Sequence, residues 1–516
     1  MKKIILIFLI LKCFGSEYEK IRQDFILENN RWPNFIAQVV SWFQNNNSQK
    51  NDIAYVRFSP NAAICSDEQK FIENRLNSIK PNLENFLNQK IENNLPKIGI
   101  CFSGGGYRAM ISSIGFLTTA KKIGLLDSTL YCSGLSGSTW AIASLYASKK
   151  DIFEFKQDLH FITQDGIDAI SSSQDLKILL NKFVEKIYYE QIVTPVDIYG
   201  DLLSNKLFAE FGDKKFNLTL SKLQENTVAK SYPFPLLTSI ITDIEPYRWV
   251  EYNPFEAGNE ELGYIPMWAF SRYFLAGKSE DNATEIDLGH LLGICGSAFC
   301  ISIQDACKKT LQNMTTEAKK LPSIVSHTLQ NVLNNFYDSA IADIRIFPAM
   351  IRNFSYQCSN NIYKDEKFLS IVDAGLDFNL ALPPLLRKSR NLDVIIIFDS
   401  SAGTIGGELK LADAYAKRKN LKWPKIDFAN IDKNLINVFK DETDKTVPTV
   451  IYIPLIKNEN YSKDFDPQHC IENDYCNTKN FTYSKEQIDQ LTGLVDVTLN
   501  EVQEIIKQEI KARIKI

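Results

Sequence analysis

The stretch Tyr131-Cys-Ser-Gly-Leu-Ser-Gly-Ser-Thr-Trp140 has the form of a nucleophile elbow with Ser136 at its apex. Before the apex, Ser128–Cys132 predicts a short buried strand, and after it Thr139–Tyr146 predicts the start of a helix. Small residues let the backbone adopt the strained turn that exposes a serine hydroxyl, and the helix start places free N–H groups beside it. Alone, a pattern of this kind is a weak signal, so the surrounding sequence decides what it means.

Strand and helix patterns alternate through residues 96–405. The predicted strands are Lys97–Phe102, Ser128–Cys132, Leu236–Thr242, Phe368–Val372 and Leu392–Phe398. Such alternation favours a layered α/β fold with a largely parallel central sheet. We expect a single domain over residues 16–516, with a helical N-terminal part (16–95), a core that holds the site (96–405) and a C-terminal part (406–516).

The composition is that of an ordinary globular protein with a large core. Apolar residues make up 45% of the 516 residues and charged residues 23%. The formal charge of −4, without a run of lysine and arginine, argues against a nucleic-acid partner. No cysteine and histidine spacing predicts a metal site, and no motif predicts a cofactor.

The N-terminus has the pattern of a secretory signal peptide. Lys2 and Lys3 precede the apolar stretch Ile4–Leu11, and the small pair Gly15–Ser16 follows. The alternative is an N-terminal core strand. No later apolar run reaches the length of a membrane helix. These observations predict a signal peptide over residues 1–15 and a mature protein that is secreted or lies in the endolysosomal lumen.

Cysteines and glycosylation sequons fit that expectation. Cys470 and Cys476 bracket a polar loop and are the strongest candidates for a disulfide. Because of the predicted signal peptide, we expect glycosylation at some of the Asn-x-Ser/Thr sequons. These begin at Asn46, Asn217, Asn282, Asn313, Asn353, Asn460 and Asn480.

A triple-glycine turn lies upstream of the elbow. Ile98–Met110 contains a strand that breaks into Gly104-Gly105-Gly106 and then begins a helix. Unobstructed N–H groups at a helix start suit either a phosphate or a tetrahedral oxyanion. A nucleotide-binding loop would require Gly-Lys-Ser/Thr or a wider glycine spacing, which is absent. Arg108 follows on the same helix start and could bind a phosphate with its planar fork or form an interior ion pair.

A reactive serine also needs a base. The order Ser…Asp…His would require His469, which lies in a polar loop without a supporting motif. Asp373 is the better candidate, because it ends a buried strand within Ser370–Leu380. Desolvation would raise the pKa of this carboxyl group and make direct proton transfer from serine feasible. The alternative is a strand-end aspartate that caps a turn.

An apolar stripe at helical spacing runs through residues 175–189. Most such stripes are core faces, and a mobile lid over a lipid pocket is the other interpretation.

Three motifs together carry a family resemblance: Gly99–Met110 (GICFSGGGYRAM), Gly134–Trp140 (GLSGSTW) and Val372–Leu380 (VDAGLDFNL). They resemble the catalytic domain shared by cytosolic (group IV) phospholipase A2 and the secreted fungal phospholipase B/lysophospholipase enzymes. Further similar stretches are Trp249–Gly258, Gly293–Phe299 and Asp393–Ser401.

The resemblance implies a patatin-like fold with helical cap insertions and a Ser–Asp dyad. By motif position, Ser136 would be the nucleophile, Asp373 the base, Gly105 and Gly106 the oxyanion hole, and Arg108 the phosphate ligand. The implied reaction is calcium-independent hydrolysis of glycerophospholipid and lysophospholipid acyl esters through an acyl-enzyme, with substrate at a membrane or micelle surface. A non-catalytic lipid-binding protein on the same fold, or a general lipase or transacylase, is the alternative.

Overall fold

The computed structural model describes residues 52–59, 63–92, 95–229, 232–298, 304–320, 330, 348–359 and 361–514. Its helices are α1 (Ser66–Leu87), α2 (Gly106–Ile123), α3 (Gly137–Ala147), α4 (Ile152–Thr163), α5 (Ser173–Tyr188), α6 (Pro195–Leu207), α7 (Leu223–Ala229), α8 (Leu288–Cys295), α9 (Gln304–Ala318), α10 (Gly407–Arg418), α11 (Pro467–Asn473) and α12 (Lys485–Lys511). The strands are β1 (Ile98–Phe102), β2 (Tyr131–Leu135), β3 (Phe234–Ile241), β4 (Arg248–Tyr252), β5 (Glu256–Asn259), β6 (Gly263–Pro266), β7 (Phe274–Leu275), β8 (Lys278–Ser279), β9 (Ala349–Arg352), β10 (Phe368–Val372), β11 (Val394–Asp399), β12 (Asn437–Phe439) and β13 (Thr449–Pro454).

One large sheet organises the fold, in the order β12-β13-β11-β1-β2-β3-β4-β5-β6, with β10 paired to β3 and β9. Its centre, β13-β11-β1-β2-β3, is parallel, and the strands at both edges are antiparallel. The predicted layered α/β class with a largely parallel central sheet is therefore confirmed. Strand β10 runs antiparallel to β3, so the segment that carries Asp373 approaches the sheet against the direction of its neighbours.

The elbow strand begins later than its sequence predicts. Instead of Ser128–Cys132, β2 spans Tyr131–Leu135, because the chain first closes a short 3₁₀ turn at Leu126–Ser128. Thr129 Oγ1 donates a hydrogen bond to Leu125 O, which satisfies that turn locally. As a result β2 ends directly before Ser136, and the turn between strand and helix is a single residue.

Helices pack on the sheet, and two of them, α2 and α3, begin at the candidate site. Helix α2 is buried from Gly106 through Ala120. The long helix α12 crosses α2 at Gly115, where an added Cβ would lie 3.2 Å from Thr492 Cα. Burial of an apolar helix face contributes roughly 25 cal/mol per Å². Helix α12 therefore packs against the middle of α2.

The part of the apolar stripe from Leu176 to Phe183 is a core face, whereas the side chains of Ile187 and Tyr188 lie outside the described residues. Leu176, Leu179, Leu180 and Phe183 of α5 are buried. In the same helix, Lys182 pairs with Asp201 and lies 3.0 Å from Asp287. Buried ion pairs and packed leucines hold α5 against its neighbours, which favours the core interpretation over a lid.

Within the described part of the chain, no helix combines the length and the apolar character needed to cross a membrane. The predicted signal peptide, residues 1–15, lies outside the described residues.

Candidate active site

Ser136 and Asp373 meet beneath the triple-glycine turn. The Ser136 Oγ donates a hydrogen bond of 2.8 Å to Asp373 Oδ2, although the two residues are 237 positions apart. Both side chains are buried, with exposed fractions of 1% and 2%. The distance is that of a strong O–H···O⁻ hydrogen bond and allows direct proton transfer.

The serine sits in the strained geometry expected of an elbow. Ser136 has φ 51° and ψ −123°, in the region that disfavours L-residues, and it precedes α3 directly. Ser138 holds this turn: its Oγ accepts the Leu135 N–H at 2.8 Å and donates to Leu135 O at 2.9 Å. Ser138 therefore closes the turn between β2 and α3.

The surroundings of Asp373 favour its protonated form more than water does. Burial raises the pKa of Asp373 to about 6, while hydrogen bonds from Gly375 N–H and Ser136 oppose the rise. Gly375 N–H donates to Oδ1 at 2.9 Å, which leaves Oδ2 for the serine. At neutral pH this carboxyl group is largely ionised yet basic enough to accept a proton from an alcohol during attack.

The glycine turn brings a second helix start to the same place. Gly105 has φ +140° and Gly106 φ +61°, so the turn requires residues without a Cβ. No side chain of the described ranges caps the start of α2 or of α3. The positive ends of two helix dipoles, with uncapped N–H groups, therefore lie beside Ser136.

Arg108 lies fully inside the protein behind this turn. Its Nε donates to Ser400 O at 2.8 Å, and one terminal nitrogen donates to Cys476 O at 2.7 Å and Thr478 Oγ1 at 3.0 Å. The other terminal nitrogen has no hydrogen-bond partner among the described residues and would lie 2.3 Å from a Cβ added to Gly105. Within the described residues, Arg108 does not form the interior ion pair considered from the sequence. Backbone and hydroxyl oxygens hold it, and one N–H₂ group faces the glycine turn.

No described histidine takes the place of the base. His469 is exposed on α11, whereas Ser136 is buried. His290 is buried 3.4 Å from Asp197, where burial lowers its pKa to about 4. The partner of Ser136 is the carboxylate itself.

Cys470 and Cys476 are both free thiols, so the predicted disulfide is wrong. The Cys476 N–H instead donates to Cys470 Sγ at 3.3 Å. The short helix α11 brings the two residues together and turns the Cys476 carbonyl towards Arg108.

One group of described carboxylates is close enough to hold a metal ion: Glu68, Glu251 and Glu256. Arg390 binds Glu68 at 2.9 Å and Glu251 at 2.7 Å, and Arg387 binds Glu251 at 2.5 Å. Because guanidinium groups already neutralise these carboxylates, the cluster is a buried ionic network and a poor cation site.

Two further residues near the dyad, Ser297 and Asn379, belong to the family motifs, but the sequence predicted no role for them. Ser297, in the Gly293–Phe299 stretch, accepts the Asp373 N–H at 3.0 Å. Asn379, in Val372–Leu380, donates from its side chain to Gly104 O at 3.2 Å. A polar residue inside a run of small or apolar residues was the only sequence signal for either one.

Residues 98–418 match the lysophospholipase catalytic domain family. The chain belongs to this family. Mouse cytosolic phospholipase A2 delta is 25% identical over an alignment of 533 positions, which covers 88% of this chain and 63% of the relative. The chain thus spans less than two thirds of that relative's length.

Solved structures share the fold of this lysophospholipase-family chain. Human GIVD cytosolic phospholipase A2 superposes with a TM-score of 0.73 at 20% identity, over 90% of this chain and 69% of that one. The same human enzyme in complex with methyl gamma-linolenyl fluorophosphonate gives a TM-score of 0.68 at 22% identity, over 88% and 65%. These matches confirm the patatin-like α/β architecture expected from the sequence.

The prediction of a secreted or endolysosomal protein is wrong. The relatives with which this chain aligns are named cytosolic enzymes. Glycosylation of the sequons was expected only because of the predicted signal peptide, so that expectation loses its basis as well.

Proposed function

We propose that this protein is a phospholipid acyl hydrolase that works through a Ser136–Asp373 dyad. The observation that carries the proposal is the 2.8 Å hydrogen bond from Ser136 Oγ to the buried Asp373 carboxylate. A serine hydroxyl in contact with a buried carboxylate at the start of a helix supports the roles of nucleophile and base for these two residues. Membership of the lysophospholipase catalytic domain family and the names of the relatives support a phospholipid or lysophospholipid as substrate.

In the first half of the reaction, Ser136 Oγ attacks the acyl carbonyl carbon while its proton passes to Asp373 Oδ2. The N–H groups of Gly105 and Gly106 stabilise the oxyanion that forms, and each donor contributes about 3 kcal/mol in comparable sites. The tetrahedral intermediate then expels the glycerol oxygen, which takes the proton from Asp373. The product is an acyl ester of Ser136.

In the second half, water attacks the acyl-enzyme and Asp373 accepts one of its protons. The second tetrahedral intermediate expels Ser136 Oγ, which recovers the proton, and the free fatty acid leaves. The same carboxylate therefore serves as base and acid in each half. Its pKa of about 6 suits both roles near neutral pH.

Arg108 is proposed to recognise the phosphate of the substrate. One N–H₂ group has no hydrogen-bond partner in the part of the chain that the structure describes, and it faces the glycine turn next to Ser136. The other nitrogens are held by Ser400, Cys476 and Thr478, which fixes the plane of the guanidinium. A rigid donor of this kind loses little side-chain entropy when it binds an anion.

We further propose that residues 16–516 act as one catalytic unit in the cytosol, at a membrane or micelle surface, and that the chemical step needs no calcium. One sheet joins strands from Ile98 to Pro454, which supports a single catalytic unit. The relatives are named cytosolic, which supports the compartment. The proposed base at Ser136 is a carboxylate, which supports a chemical step without calcium. Hydrolysis should therefore continue in excess chelator.

The direct test is fatty-acid release from phospholipid vesicles and lysophospholipid micelles. Ser136→Ala and Asp373→Asn should each abolish release, since one removes the nucleophile and the other the base, while the far-UV circular dichroism stays unchanged. Substantial release by either variant would refute the dyad. A wild-type protein that binds vesicles but releases no fatty acid would favour a non-catalytic lipid-binding role.

A further inference from the structure

Asn379 holds the peptide unit that carries the first proposed oxyanion donor. The Gly104 N–H donates to Asn379 O at 3.3 Å, and the Asn379 Nδ2 donates to Gly104 O at 3.2 Å. Asn379 therefore binds both the N–H and the C=O group of Gly104. An added Cβ on Gly104 would lie 2.4 Å from Asn379 Oδ1, so the two residues are in close contact.

Because the peptide bond is planar, this contact also affects the orientation of the proposed oxyanion donor. The carbonyl of Gly104 and the N–H of Gly105 belong to one planar trans unit, in which they point in opposite directions. When Asn379 Nδ2 fixes the direction of the carbonyl, it also fixes the direction of the Gly105 N–H. The glycine turn has little stiffness of its own, because Gly105 can rotate more freely than any residue with a Cβ.

The side chain of Asn379 is itself held in place. Its Nδ2 also donates to Ser401 Oγ at 2.9 Å, and its backbone N–H donates to Glu408 Oε2 at 2.6 Å. The loop after β11 holds the side-chain amide through Ser401, and the first turn of α10 holds the backbone of Asn379 through Glu408. The two N–H groups of Nδ2 are thus both used, and the amide connects the glycine turn with the loop after β11.

Asn379 also lies beside the base. A Cβ added to Gly375 would lie 3.1 Å from Asn379 Oδ1 and 3.3 Å from Asp373 Oδ1. The turn Ala374–Leu376, which shapes the surroundings of the Asp373 carboxylate, therefore packs against the same amide. A single side chain connects the segment that carries the base with the loop that carries the oxyanion donors.

We propose that Asn379 is a positioning residue that aims the Gly105 N–H at the oxyanion and keeps it in register with Asp373. The inference rests on the proposed hydrolase function. It predicts that loss of the Nδ2 donor lowers the rate of the chemical step and leaves substrate binding and folding largely intact, because the effect arises only where negative charge develops.

The test compares Asn379→Asp, which keeps the size but loses the donor, and Asn379→Ala with wild type. Asn434→Asp, on an exposed loop, is the matched control for the change in charge. The measurements are kcat and KM for phospholipid, the melting temperature, and the rate constant and final stoichiometry of serine labelling by an alkyl fluorophosphonate. Both Asn379 variants should lose about 10–100-fold in kcat and in labelling rate, with KM within threefold and one label per chain at completion.

The stoichiometry separates positioning from damage to the fold. A variant that is partly unfolded would label only a fraction of its chains at the wild-type rate, and that result would overturn the inference. Labelling and turnover within twofold of wild type would overturn it as well. If wild type itself neither turns over nor labels, the proposed function fails; if wild type is active and the Asn379 variants are equally active, only the role of Asn379 fails.

Discussion

The carbonyl oxygen of Gly106 lies 2.0 Å from the position that a Cβ on Gly137 would occupy. Gly106 begins α2 and Gly137 begins α3, so the two helices approach each other backbone to backbone at their starts. At this contact the start of α3, directly after Ser136, meets the start of α2, where the proposed oxyanion donors lie. A side chain at residue 137 would push the two loops apart.

Gly137→Ala should therefore reduce hydrolysis by at least 100-fold and lower the free energy of unfolding by roughly 1–3 kcal/mol, as expected for overpacking of a tight contact. Gly407→Ala is the control, because its added Cβ would lie 3.8 Å from the nearest atom, which is ordinary contact. Steady-state kinetics and urea denaturation of both variants provide the measurement. Full activity in Gly137→Ala would show that the approach of the two helices is not needed.

The pH dependence of hydrolysis should follow the ionisation of Asp373. The pKa of Asp373 is raised to about 6 by burial, and only the ionised carboxylate can accept the proton of Ser136. We expect kcat/KM to fall about tenfold per pH unit below pH 6 and to level off above it. A limb centred near pH 4, the ordinary range of an aspartate, would contradict this assignment.

The raised pKa of Asp373 also predicts that this carboxyl group makes the folded protein less stable at neutral pH than at acidic pH. The folded-state pKa of about 6 lies above the unfolded value of about 4, so Asp373 is neutral in both states below pH 4. As the pH rises through 6, the folded protein must bury a charge, and stability is lost. Asp373→Asn removes this cost, so its free energy of unfolding should rise relative to wild type by on the order of 2–3 kcal/mol between pH 4 and pH 7.

Urea denaturation of wild type and Asp373→Asn at several pH values checks this prediction. An advantage of the variant that shrinks as the pH rises would reverse the sign and refute it.

Arg108→Lys should impair phospholipid hydrolysis far more than hydrolysis of a neutral ester. Lysine cannot keep the contacts to Ser400 and Cys476 and also present a fixed donor at the glycine turn. The comparison is kcat/KM for a phospholipid and for an uncharged acyl ester of equal chain length. Equal losses on both substrates would assign Arg108 to the support of the glycine turn instead of to phosphate binding.

The buried ionic network allows a separate test of stability. Arg390 is fully buried and neutralises Glu68 and Glu251. Arg390→Met leaves both carboxylates without this partner and should lower the free energy of unfolding by about 3–5 kcal/mol. Lys419→Met, which removes a more exposed partner of Glu261, should change it by less than about 1 kcal/mol. Similar losses in both variants, measured by urea denaturation, would contradict the importance of burial.

The sequence predicted the elements around Ser136 because their signals are local. A strand, a run of small residues and a helix start follow one another within Tyr131–Trp140, and the structure has them in that order. The bounds of β10 are those predicted, because Phe368–Val372 is a compact apolar run that ends at Asp373.

What the sequence did not predict depends on contacts between distant segments. The antiparallel entry of β10 beside β3 follows from chain topology, which residue periodicity does not encode. The roles of Ser297 and Asn379 arise only when their segments meet Asp373 and Gly104. The localisation was predicted wrongly because a short apolar segment after lysines has the composition of a signal peptide whatever its actual function.

The most direct test of the account is covalent labelling with an alkyl fluorophosphonate, followed by mass spectrometry of the labelled peptide. We expect one label on Ser136 in wild type, none on that peptide in Ser136→Ala, and labelling at least 100-fold slower in Asp373→Asn. A label on another serine, or a wild-type labelling rate in Asp373→Asn, would contradict the claim that Asp373 activates Ser136.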